Sequence, residues 1–238
     1  GEYLVKAWMG KVASAMTTYQ KSCFKRFFEL LKMTQTLNLP YLPHVKDFGL
    51  STSMAAAYLV TETVKGESWS KVAMDLTDDE KNELTLQLLH SLSKFHEHGY
   101  HHGNLDGENI LVDRTNFKVI FNDCFHAETP QPDPSNGYFP LDIEDPTAIQ
   151  CDNYAALKLI ADLYEIPLKT DDATSIDSTL TWLYEALNKE VLEEASVRYI
   201  DNTRFIEAFE CKGAIAKEAP KIKIYTGKVE SPFTIYPE

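Results

Sequence analysis

Most residues able to bind or react lie in one stretch of the chain: His96, His98, His101, His102, Asn104, Asn109, Asn122 and Asp123. Four histidines so close together raise the question of zinc, but no ligand spacing supports it. His101 and His102 are adjacent, and neighbours in an extended segment point apart. Cys23, Cys124, Cys151 and Cys211 form no CxxC pair, which also argues against a zinc site. Asn104 sits in the polar run Gly99-Tyr100-His101-His102-Gly103-Asn104-Leu105-Asp106-Gly107-Glu108-Asn109. Its carboxamide is neither protonated nor deprotonated near neutral pH, so it is no general base.

The elements around this run are clear. A helix is predicted over residues 78–98, with Thr77 and Glu80 as a capping box. Leu84, Leu88, Leu92 and Phe95 form its apolar stripe, and Gly99 ends it. Residues 110–112 and 117–121 read as two strands joined by the polar turn 113–116, a hairpin. Upstream, residues 3–8 look extended, and residues 21–36 carry Phe24, Phe27, Phe28 and Leu31 at helical spacing. Pro40 and Pro43 follow that helix. Short strands are expected at 44–48 and 57–61, then a turn over 62–68. Five prolines within residues 129–146 mark a loop. A helix is expected to open at Asp152, with Tyr154, Leu157, Ile160 and Tyr164 on one face. Further helices fall within 176–211, and residues 222–225 look strand-like. The class is α+β, with a strand-rich part followed by a mainly helical part.

The run from Gly99 to Asp113 resembles the catalytic loop of the protein-kinase superfamily: a helix, then His-x-Asp-Leu, three residues, Asn, and an apolar strand. His102, Leu105 and Asn109 fall at the family spacing. The resemblance implies a two-lobed fold, with a small strand-rich lobe at 1–63 lacking or truncated at its first strands, a hinge at 64–66 and a larger helical lobe at 67–238. It implies a nucleotide site made by Lys6, its partner Glu29, and hinge positions Glu62 and Val64, with residues 58–62 as the adenine-side strand and hinge. It implies metal ligation by Asn109 and by Asp123 or Asn122. Ungapped counting from Asn109 selects Asn122, whereas strand alternation with Val119 and Phe121 buried selects Asp123. Asp152 matches a family aspartate that accepts hydrogen bonds from the catalytic-loop backbone.

The departures from the family pattern decide the functional expectation. Asn104 stands where the family has the aspartate that accepts the substrate proton, a contribution of about 100- to 10,000-fold. The Asp-Phe-Gly glycine is missing from residues 122–125 under either alignment. Five residues precede Lys6 in this chain, so the glycine-rich phosphate loop expected ahead of it is either truncated or truly lost. The expected protein is therefore similar to a pseudokinase: a binding, scaffolding or allosteric module with weak or no use of ATP and magnesium. Its expected partner is a protein, an active kinase or its substrate. The rival is an active atypical or effector kinase trapped by an Asp-to-Asn change at 104. Thr129, Ser135 and Thr147 lie in or beside the proline-containing loop. Gly103 replaces the arginine that would grip a phosphate there, so activation by loop phosphorylation is not expected.

Bulk properties bound the partners. The chain has 238 residues, 44% hydrophobic and 25% charged, enough for a real core. A net charge of −13 argues against nucleic acid and anionic membranes as main partners. No apolar run reaches membrane-spanning length. A cytoplasmic setting is favoured, and a secreted effector remains open.

Overall fold

The computed structural model describes residues 1–10, 16–53, 55–127, 135, 137–168 and 177–211. The strand-like 222–225, Thr129 and most of the proline-rich loop lie outside these residues. The first part comprises β1 (Tyr3–Met9), α1 (Thr18–Leu37), β2 (Val45–Ser51) and β3 (Ala56–Glu62). β3 lies between the other two strands, antiparallel to both, with Lys6 opposite Leu59. α1 begins with a capping box between Thr17 and Gln20 and ends where Asn38 turns left-handed, φ 46°. That is two residues ahead of Pro40. Its buried face carries Phe24, Phe27, Leu30 and Leu31. Trp8 of β1 meets Phe27 edge-on at 5.2 Å between centroids, tying helix to sheet.

The chain then enters β4 (Glu67–Ser68), α2 (Trp69–Val72), α3 (Asp78–Glu97), β5 (Ile110–Asp113) and β6 (Lys118–Phe121). The expected turn over 62–68 needs correcting at its end: Glu67 and Ser68 pair antiparallel with Val112 and Leu111. β5 and β6 form the expected hairpin. In α3 the Thr77/Glu80 box is present, and Leu84, Leu88, Leu92 and Phe95 are fully buried.

α4 (Ala148–Leu163) is buried nearly all round, as expected of a helix at the centre of a core. It starts at a Thr147/Gln150 capping box. The expectation that Asp152 opens the helix is thus corrected, since Asp152 lies in its second turn. α5 (Thr181–Leu192) and α6 (Thr203–Glu210) follow. One continuous apolar cluster runs from Phe24 and Leu59 through α3 and α4 to Phe209. The segment after α1 is pinned to the second sheet, where Phe121 N–H donates to Tyr41 C=O at 2.9 Å. Among the described residues no helix is long and apolar enough to cross a membrane.

Candidate functional site

The loop after α3 is held from below by one carboxylate. Asp152 Oδ2 accepts from His102 N–H at 2.6 Å and from His96 Nε2 at 3.1 Å, and Oδ1 accepts from Gly103 N–H at 2.9 Å. Burial alone would raise this carboxyl. The His96 hydrogen bond, the neighbouring His102 and the Gly103 N–H outweigh it and hold the group below its ordinary range. Gly103 has φ 75°, a left-handed conformation that glycine adopts without strain.

His102 is fixed as a neutral imidazole by its two partners. Nε2 faces the carbonyl of Asn122 at 3.0 Å, which can only accept, so Nε2 carries the proton. Nδ1 accepts from Asn104 N–H at 3.2 Å. Full burial pushes the imidazole below its usual range. His102 therefore joins the Asn104 loop to the turn after β6. That turn is also held by Asn122 N–H donating to Asn109 C=O at 2.8 Å. Asp106 accepts the N–H groups of Glu108 and Asn109 at 2.9 and 2.8 Å, closing the loop before β5.

Lys6 and Asp123 meet directly in an ion pair, both about one-third exposed. Val119 and Phe121 are buried on β6, as strand alternation requires. Asn122 spends its backbone on the loop. Asp123, at φ 52°, turns its carboxylate to Lys6. Of the two candidates, Asp123 is thus the one brought to the lysine. Asn109 Nδ2 donates to Asn104 C=O at 2.9 Å, which leaves its Oδ1 without a donor among the described residues. The Asn104 carboxamide is half-buried and makes no hydrogen bond among the described residues. An aspartate oxygen and a free amide oxygen suit a hard divalent cation.

The remaining expected residues have surroundings of their own. Glu29 is exposed on α1 and lines a groove against β2, while the ion-pair partner of Lys6 is Asp123. Glu62 is paired with Lys46 at 2.8 Å, and its N–H donates to His44 C=O. Val64 is half-buried, just past β3.

Sequence reasoning missed a mixed cleft of about 210 Å³ between α1 and the loop, lined by Arg26, Cys23, His101 and His126 among others. Burial lowers both His101 and His126. His96, whose side chain hydrogen-bonds Asp152 beside the two loop N–H groups, was also missed as a support. Its only sequence signal is that it lies on α3 six residues before His102.

The chain matches no protein-family profile. Over 99 residues it is 36% identical to CBL-interacting protein kinase 21 of Oryza sativa subsp. japonica, a match covering 40% of this chain and 18% of the rice protein. The chain thus spans only a minor part of that relative. Among solved structures it resembles the PknI kinase domain of Mycobacterium tuberculosis, with TM-score 0.59, 17% identity, and 89% and 86% of the two chains covered. It also resembles the PK-1 kinase of Cydia pomonella granulovirus, with TM-score 0.51, 14% identity, and 77% and 70% covered. The chain has a protein-kinase-like α+β fold: small antiparallel sheets followed by a helical part.

Proposed function

We propose that this chain is a kinase-like domain with lost or severely impaired phosphoryl transfer, working as a binding, scaffolding or allosteric module for a protein partner. One observation carries the reading. Asn104 stands in the loop that Asp152 and His102 hold, where proton acceptance from a substrate hydroxyl would have to occur, and a carboxamide accepts no proton.

Nucleotide and metal, where bound, belong to the same site. Asp123 and the Asn109 Oδ1 would hold a divalent cation, Lys6 would face phosphate oxygens, and Glu62 and Val64 would flank the base. The cation would offset phosphate charge. Lys6 must share its charge between Asp123 and any phosphate, which favours weak binding.

The second reading is an active atypical or effector kinase whose aspartate at 104 has become asparagine. The intact support of Asp152, His102 and Asn109 favours it. Asn104→Asp separates the two. On the first reading, magnesium-dependent ATP turnover and autophosphorylation stay near background. Robust turnover from that single change would establish the second.

A further inference from the structure

We infer that the groove where the start of α4 meets the chain between α5 and α6 docks a basic segment of a partner protein, which inserts an apolar side chain there. Such docking needs neither nucleotide nor the Asn104 loop. The groove encloses about 300 Å³ between residues 143–150 and 195–200, at the lower end of the ~300–1,000 Å³ span of ligand-binding clefts. That size suits one anchoring side chain rather than a whole cofactor. Its apolar surface comes from Ile143, Ala195 and Ile200. Ile200 is 48% exposed. Ile149 and Val197, the chain neighbours of the lining residues Gln150 and Ser196, are also exposed. The two walls are tied together. Gln150 Nε2 donates to Ala195 C=O at 3.1 Å and to Arg198 C=O at 3.0 Å, and Arg198 pairs with Asp142. A partner therefore meets a groove that is already formed, so little ordering opposes binding.

Charge defines the occupant. Glu144 and Asp145 line the groove and are exposed, and Glu194 is exposed just ahead of Ala195. None of the three forms an ion pair among the described residues. The lining contains no lysine or arginine. The arginines of the adjoining chain are already engaged. Arg198 is held by Asp142 and, through Nε at 2.9 Å, by Glu193 C=O, while Arg204 pairs with Glu190. An apolar centre rimmed by unpaired carboxylates complements a basic segment with one apolar residue, and it repels an acidic one. Asp145 is also held at φ 51° directly ahead of Pro146, although a residue before proline favours extended backbone. Strain of this kind is retained where the surrounding structure fixes a residue for a task, here a carboxylate at the rim of the groove.

The test uses fluorescence anisotropy on the full chain with a labelled peptide, acetyl-Arg-Lys-Gln-Leu-Gln-Lys-Arg-amide. Saturable binding that weakens with salt is expected. The combined variant Glu144→Gln, Asp145→Asn should weaken it at least about tenfold. Both side chains are exposed and unpaired, so the fold is retained, which circular dichroism checks. Ile200→Gln should also weaken binding, through the apolar anchor. Glu2→Lys, just ahead of β1, makes the same change in net charge and should leave the affinity as it is. Four results would overturn the proposal. The first is absence of saturable binding. The second is equal binding of a control peptide with glutamine in place of leucine, which would mean that charge alone attracts it. The third is an equal loss in Glu2→Lys and in the groove variant. The fourth is self-association that the groove variant abolishes, which would assign the groove to a second copy.

Discussion

His102 couples two loops only while it is neutral, because Nδ1 must accept from Asn104 while Nε2–H donates to Asn122. A protonated ring would aim an N–H at the Asn104 N–H. His101 and His126, both partly buried near the same loop, are lowered for the same first reason, desolvation. The sign of the pH dependence follows. As pH falls through the ordinary imidazole value of about 6.5, the unfolded chain takes up protons that the folded chain refuses, so acid favours unfolding. Stability is fully present above that value and declines below it, until the folded imidazoles are themselves protonated. Asp152 adds a separate loss at lower pH, below the ordinary carboxyl value, because its folded form is held ionised. Melting temperature should therefore be level above pH 7 and fall between about pH 6.5 and 5. A flat curve across that window would show that these rings are protonated as readily folded as unfolded. The same residue scale shows why Gly103 is not simply a missing arginine. At φ 75° a side chain there costs about 1–2 kcal/mol, so Gly103→Arg would strain the loop that Asp152 holds.

Among the described residues three helices begin with the same device, a threonine three residues ahead of a side chain that bonds back: Thr17/Gln20, Thr77/Glu80 and Thr147/Gln150. The last matters most to the site, because α4 delivers Asp152. Gln150 also donates to Ala195 C=O at 3.1 Å and Arg198 C=O at 3.0 Å, which fastens the start of α4 to the chain between α5 and α6. Thr147→Ala should cost about 1 kcal/mol, a fall in melting temperature of roughly 2–4 °C for a chain of this size, read by calorimetry. No change would mean that the Gln150 contacts hold the turn without the cap. These elements also show what local pattern can reveal. α3 was legible because its apolar stripe, acidic cap and closing glycine agree. The Thr-x-x-Gln signal that starts α4 stands five residues ahead of Asp152, so a helix read from Asp152 begins about one turn late. β4 has two residues, too few to display alternation, so its pairing with β5 left no trace in the local sequence. The pairing of Lys6 with Asp123 spans 117 residues. Spacing cannot encode it; it follows only when β1, beside β3, and the turn after β6 are brought to one place. Glu29 illustrates the opposite error: helical position alone does not say which face turns toward the lysine.

At the scale of the whole molecule, one apolar cluster runs from the first sheet to α6, and the Lys6–Asp123 pair bridges its two sheets at the surface. The pair is partly exposed, so its attraction is screened and modest. It nevertheless decides how a nucleotide would be received. Phosphate oxygens and Asp123 would compete for one ammonium, and a cation would compete with that ammonium for the Asp123 carboxylate. A ligand must rearrange the pair before it gains from it, and Glu29 does not hold Lys6 in its place. We therefore expect ATP with magnesium to bind at a dissociation constant of about 1 mM or weaker. By linkage, 1 mM nucleotide then adds at most ~0.4 kcal/mol, a rise in melting temperature under ~2 °C. Asp123→Asn and Lys6→Met test the mechanism as well as the number. If the pair is what limits binding, neither variant should lose a shift that the unaltered chain barely shows. A rise above about 5 °C at the same concentration, abolished by Asp123→Asn, would instead mean that the pair opens readily and that the site is a working nucleotide pocket despite Asn104.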